Sequence, residues 1–360
     1  MIRFADVSSV HETRGDGMNS AHLSAGFRRF AEKECKGSSR LYEFLSIEIS
    51  RDTHLLELSS HCSQGQPVPN LLFASVHYLL LSGVDHELKA FYLSVTGNPR
   101  PFEGSFQPFK NFCQKNRNEM IRLLQSKMVQ TNEIRRCTYL YPSFCYIYNK
   151  VRRPLSLVEI GTSAGLQLLW DKYSYSYGTD SVYGDLSSNV HLTSELRSGN
   201  ALPLLQKTPP VKSKFGIDLH VVDLSKKEDY LWLKSLIWPE HKERLEVLEK
   251  AAQLFTFNSV NLIEGDGVSL LPHVVEQVPE DSALCIFHTH VANQIPDELK
   301  RKLIDNIKAI GTKRDVFHLY NNISDVGKLH LDSFINGVEF NEIIAETDGH
   351  GRWFDWYVNM

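Results

Sequence analysis

The chain has 360 residues, 42% hydrophobic and 23% charged, with 39 Lys and Arg against 43 Asp and Glu for a formal charge of −4. These values fit a folded chain that buries its own core, and they exclude disorder, fibres, membrane proteins and disulfide miniproteins. No excess positive field is available for nucleic acid or anionic lipid, so neither is expected as a partner.

From the N-terminus, MIRFADVSSVHETRGDG lacks the apolar core of a signal peptide. Residues 20–35 carry Leu23, Phe27, Phe30 and Ala31 at helical spacing, and 40–50 carry Leu41, Phe44, Leu45 and Ile49. Pro69 opens a helix over 69–82, whose run LLFASVHYLLL is too short to span a bilayer. Residues 108–129 read as one further helix, with breakers GQPVPN and TGNPRPFEGS in between. The six cysteines form no CxxC pair and sit in apolar runs, so they read as buried hydrophobes in a reducing cytoplasm.

Near residue 150 the texture changes. Short apolar runs at 156–160, 217–222, 260–264, 283–288 and 315–320 alternate with amphipathic helices, as a parallel sheet covered on both faces requires. Ser225 and Glu228 read as a capping box, Pro239 opens a helix, and Pro296 opens another that Gly311 closes. Residues 338–346 and 352–358 form a hairpin across TDGHG. The expectation is an α/β fold. A helical N-terminal domain (1–150) serves as a lid, and a Rossmann-like, methyltransferase-type domain (151–360) combines parallel strands with a C-terminal antiparallel hairpin. A strand-rich insertion occupies 174–215.

The chemistry-bearing residues lie at the predicted strand ends. LVEIGTSAGLQLLW places Glu159, Gly161, Ser163 and Gly165 in a turn between a strand and a helix, where backbone amides cradle a polar ligand. Tight turns of this kind need glycine in any case. Asp218 and Asp223 flank the second strand as acceptors for a ribose diol, and Asp223 serves equally as a helix cap. Asp266 is placed to accept from an adenine amine or to cap the helix after it. HTHVANQIP brings His288 and His290 to the fourth strand's end. His288 is the expected general base, because imidazole exchanges protons near neutral pH. H-x-H alone supplies too few donors for zinc, so no metal is expected. Asn132 and Glu133 in TNEIRR, with Arg352 in HGRWFDW, are placed to line a pocket for a small-molecule substrate. Their other roles are helix capping and hairpin packing.

The strings TNEIRR, LVEIGTSAGLQLLWDKYSYSYG, GIDLHVVDLSKKEDYLWLKSLIWPEHKERL and HGRWFDW, in this order, resemble a bacterial family filed as a domain of unknown function. The resemblance runs from about residue 20 to the end. It implies a methyltransferase-type Rossmann fold behind a helical N-terminal portion, and no particular reaction. Thr162 stands where Ala is commoner and Gln167 where Asn is commoner. Ser163 replaces the middle glycine of the usual methyltransferase loop, and no Asn/Asp-Pro-Pro-Tyr follows the fourth strand. The functional expectation is an S-adenosylmethionine-binding enzyme, a methyltransferase on a small molecule. A nucleotide-dependent oxidoreductase and a non-catalytic scaffold are the alternatives.

Overall fold

The helical spacing of the first 130 residues is realised as helices in the computed structural model, which describes residues 20–130, 132–205 and 207–359. Thr131 and the N-terminal stretch read for a signal peptide lie outside the described residues. Two compact units result. One joins the described residues up to 130 with Ser225–Glu246, and the other joins Asn132–Leu224 with Val247 onward.

In the first unit the helices are Ser20–Phe30, Arg40–Ile49, Thr53–Ser59, Val68–Leu81, the short Leu93–Thr96, Phe106–Lys115, Arg117–Ser126 and Lys227–Ser235. Val68–Leu81 is buried from Leu71 to Leu80, as expected of a helix that is apolar all round. Its His77 bonds Ser235 O at 3.0 Å and Ser94 Oγ at 2.7 Å. The single helix expected over 108–129 is two, because Asn116 turns its side chain onto Phe112 O (2.9 Å) and competes with the helical backbone. The helix expected to open at a Ser225–Glu228 capping box opens one residue later than that box would set it. Lys227–Ser235 starts after Lys226 with no side-chain cap. Pro239 precedes a turn, and the helix behind it is Lys242–Phe255.

The second unit is built on strands β1 (Leu155–Ile160), β2 (Ser174–Ser176), β3 (Tyr183–Gly184), β4 (His191–Thr193), β5 (Glu195–Gly199), β6 (Val211–Asp218), β7 (Asn261–Glu264), β8 (Ala283–His288), β9 (Val316–Asn321), β10 (Lys328–Ile335), β11 (Val338–Thr347) and β12 (Trp353–Trp356). The large sheet runs β5-β12-β11-β10-β9-β8-β1-β6-β7, and β3-β2-β4 form a small second sheet. Strands β7, β6, β1, β8 and β9 are mutually parallel, whereas β9 to β12 form an antiparallel meander. This is a mixed α/β architecture with a mostly parallel sheet.

Three sequence expectations change here. The second parallel strand is 211–218, not 217–222. Asp218 accepts from the His220 amide at 3.2 Å, and such an Asx turn ends the strand at Asp218. Asp223 therefore lies five residues past the strand end, in a loop. The terminal hairpin pairs as expected, with Ala345 opposite Trp356, but β10 precedes it as a further antiparallel strand. The boundary between units lies at 131–132 instead of 150. Helix Cys137–Val151 is buried along most of its length on the sheet, with Phe144 against Phe287 of β8 and against Trp170.

Strand alternation assigns the two faces of the sheet. Val158, Ile160, Leu284, Ile286 and Val316 pack with Leu271, Val274, Leu303 and Ile307 of helices Gly267–Val275 and Asp297–Gly311. Phe287 faces the opposite way, toward Cys137–Val151, and alternation puts Glu159 on that side too.

Candidate functional site

The turn after β1 runs through Gly161 (φ 75°), Ser163 (φ 52°) and Gly165 (φ 75°). Glycine is needed here for close packing as well as for φ. A Cβ on Gly161 would overlap the Val291 side chain from the loop after β8, and one on Gly165 would lie 2.9 Å from Leu262 Cδ2. Asp218 pins the turn from the neighbouring strand by accepting from Ser163 N at 2.7 Å. Thr162 Oγ1 donates to Glu159 Oε2 at 2.6 Å. Burial pushes the Glu159 carboxyl up to about 8, Thr162 opposes the shift, and Asp218 adds to it. The helix after the turn is a 3-10 helix, Leu166–Lys172.

Asn132 docks on this turn, its Nδ2 donating to Thr162 O at 3.0 Å. Its Oδ1 and Ser163 Oγ are buried with no hydrogen-bond partner among the described residues. Buried polar atoms of this kind call for a partner, whether water or ligand. Beside them, Glu133 Oε2 sits 3.1 Å from His350 Nδ1, with Glu133 buried and the His350 side chain about half exposed (51%). Gln167 bridges the Glu133 carbonyl (3.2 Å) and Thr289 Oγ1 (3.0 Å). Arg136 donates to Gly349 O, Thr289 O and Thr289 Oγ1. Arg352 forms a two-pronged pair with Asp348 at 2.9 and 2.7 Å, and that pair holds Asp348 down to about 2 against its burial. Asp348 also accepts from the amides of His350 and Arg352, which shapes the hairpin turn.

Asn132 thus meets the turn that carries Glu159, Gly161, Ser163 and Gly165, Glu133 lies next to it on Gln167, and Arg352 is held on Asp348 of the hairpin. His288 does not join them. It shares its face with Ile286, fully buried, its Nε2 3.3 Å from His318 Nε2 and its ring stacked near Tyr320. Burial alone lowers His288 to about 4, leaving it neutral. Tyr320 in turn stacks on His330 and donates to Asp332. Asp266 caps helix Gly267–Val275, accepting from Val268 N at 3.1 Å and from Ser269 Oγ. No three His, Cys, Asp or Glu side chains among the described residues are arranged to hold a metal ion. No helix among them is long and apolar enough to cross a membrane.

Residues 24–356 match the model of a family described as "Uncharacterized protein conserved in bacteria (DUF2332)". The chain belongs to this family. No curated protein and no solved structure matches it. In this DUF2332 chain the site also holds Arg136 and Gln167, to which sequence reasoning gave no site role, and it pairs Glu133 with His350. The signal available was their position inside the motifs TNEIRR, GLQLLW and HGRW. GTSAG also spells the G-x-S-x-G of a serine-hydrolase elbow. A serine nucleophile needs a base within hydrogen-bond reach, and Ser163 Oγ has none among the described residues.

Proposed function

We propose that this DUF2332 chain is a Rossmann-like, S-adenosylmethionine-dependent enzyme that transfers a methyl group to a small molecule. One observation carries the reading. The 161–165 turn closes β1 where the parallel order β7-β6-β1-β8-β9 reverses its direction of growth, beside the loop after β8. Ligands of open α/β sheets bind outside the strand ends at that switch point. The antiparallel strands after β9 agree with a methyltransferase-type sheet, with one strand more than a simple hairpin.

The residues at the turn fit the amino-acid end of the cofactor. Asn132 Oδ1 is a buried acceptor for its ammonium, Ser163 Oγ a donor for its carboxylate, and Glu159 a buried carboxyl that a nearby cation would ionise. Asp218 or Asp223 is assigned the ribose, while the Asp266 carboxylate is engaged as a helix cap. When bound, the cofactor would supply an electrophilic methyl on a sulfonium, with the thioether as leaving group. The chain's own task is to orient the acceptor and take its proton. His350 is the base in this reading. Glu133 fixes its Nδ1, which leaves Nε2 as the proton acceptor. This role passes from His288 to His350 because His288 faces the other side of the sheet.

The test is mass spectrometry of small molecules released from the purified protein, followed by calorimetry with adenosylhomocysteine. Adenosylhomocysteine or adenosylmethionine in the extract and saturable binding in the calorimeter are expected. A nicotinamide dinucleotide in the extract would move the assignment to an oxidoreductase. No heat with adenosylhomocysteine would leave a scaffold.

A further inference from the structure

We infer that Arg136 and His290 form a subsite for an oxyanion carried by the small-molecule substrate, a carboxylate or a phosphate. This rests on the enzyme reading above and refines it by giving the substrate a charge.

The tautomer of His290 follows from its neighbours. Asn322 Oδ1 accepts from Gly327 N at 3.0 Å, so its Nδ2 is the atom 3.1 Å from His290 Nδ1. Nδ1 is therefore the acceptor of that bond, and a neutral ring carries its hydrogen on Nε2. The ring is neutral near pH 7, since burial first and then the Arg136 charge push it down to about 3. Its Nε2–H is buried with no partner among the described residues.

Arg136 supplies the charge. Its Nε and Nη1 are fixed on Gly349 O, Thr289 O and Thr289 Oγ1, and none of these acceptors is a carboxylate. Nη2 makes no hydrogen bond among the described residues. Gly349 brings the two donors together. Its carbonyl holds Arg136 Nε, and a Cβ on it would lie 3.3 Å from His290 Cε1 and 3.8 Å from Nε2. A third donor is attached to the same group. Asn321 Oδ1 accepts from His290 N at 2.7 Å, which leaves its buried Nδ2 without a partner among the described residues. Of the nearby carboxyl groups, Asp348 is engaged with Arg352, Glu133 with His350 and Glu159 with Thr162, and Arg136 favours ionisation of Glu159. Buried unpartnered donors beside a guanidinium held only on neutral oxygens are costly unless an anion joins them. An oxyanion is the complement of that set.

The experiment uses the full chain labelled with ¹⁵N at histidine. The ring signals of His290 are assigned by their loss in His290→Gln. Without ligand at pH 7, the Nε2–H tautomer is expected. Inorganic phosphate and succinate are then titrated separately. At least one should shift the His290 signals saturably, with Kd of about 1 mM or tighter, and the stronger of the two names the oxyanion. Arg136→Gln, checked by thermal melting, should weaken that binding by about tenfold or more, with partial recovery in Arg136→Lys. If Arg136→Gln fails to fold, the wild-type tautomer and titrations decide alone. An Nδ1–H tautomer, or no saturable shift with either anion, would overturn the subsite. Neither probe contains an adenosyl group, so failure here with adenosylhomocysteine binding intact sinks the subsite alone. Loss of adenosylhomocysteine binding with the anion shift intact sinks only the cofactor assignment.

Discussion

At Glu159 burial holds a proton that the unfolded chain would release. Its folded pKa of about 8 lies above the ordinary 4.5, so its contribution to stability is present below about pH 4.5 and is lost as the pH rises toward 8. Glu159→Gln keeps an acceptor for Thr162 and removes the titration. It is expected to raise stability by about 1–3 kcal/mol at pH 8 and by almost nothing at pH 4.5, read by urea unfolding. Equal gains at both pH values would show that the buried carboxyl is not the cause. Gly161→Ala meets both a left-handed backbone and the Val291 side chain, so a loss of about 1–3 kcal/mol is expected. Adding Val291→Ala should recover the overlap part and leave the backbone strain, a coupling that a double-mutant cycle measures. Strictly additive losses would place the strain elsewhere. If the chain transfers methyl groups as proposed, His350→Gln should lower that transfer by roughly 10²–10⁴-fold. His288→Asn should leave transfer intact and lower the melting temperature, and the reverse pattern would return the base to His288.

On the scale of elements, the end of β8 separates the two histidine groups. His288 points with Leu284 and Ile286 toward helices Gly267–Val275 and Asp297–Gly311, and Phe287 points toward Cys137–Val151. The chain reaches the other group only two residues later, through His290 at φ 62°. The helix caps give a second test. Asp266 holds the Val268 amide, and Asp266→Ala is expected to cost about 1 kcal/mol of stability while leaving adenosylhomocysteine affinity unchanged. A mutant of unaltered stability with weakened affinity would return Asp266 to the adenine.

Over the whole molecule, buried neutral imidazoles set the response to acid. His77 in the first unit and His288 in the second are pushed down to about 4, and His290 to about 3, all chiefly by burial. The unfolded chain binds protons at these sites near pH 6.5 and the folded chain does not. Their contribution is therefore full above about 6.5 and is lost as the pH falls. At pH 5 each buried imidazole costs about 2 kcal/mol relative to pH 7. Urea midpoints are expected to fall between pH 7 and pH 5, with Glu159 acting in the opposite sense. A midpoint that is flat or rises toward pH 5 would mean that these rings ionise inside the fold.

The sequence by itself determined the elements whose signal is local. ALCIFH became β8 at its predicted bounds, and Asp297–Gly311 follows Pro296 with Leu303, Ile307 and Ile310 inward. Continuous apolar runs and helix punctuation report burial without knowledge of partners. It also named the segments that meet at the site, since TNEIRR, EIGTSAG, HTH and HGRW all contribute to it. Only the tertiary structure decided which residue of each segment faces the others. HTH offered both His288 and His290, which would share a face in a continued strand. The end of β8 at His288 and the left-handed turn at His290 separated them. The Glu133–His350 and Arg136–Gly349 contacts each join residues more than 200 positions apart. Pairing at that separation leaves no periodic trace in the chain, because it depends on strand order in the sheet and not on any local preference.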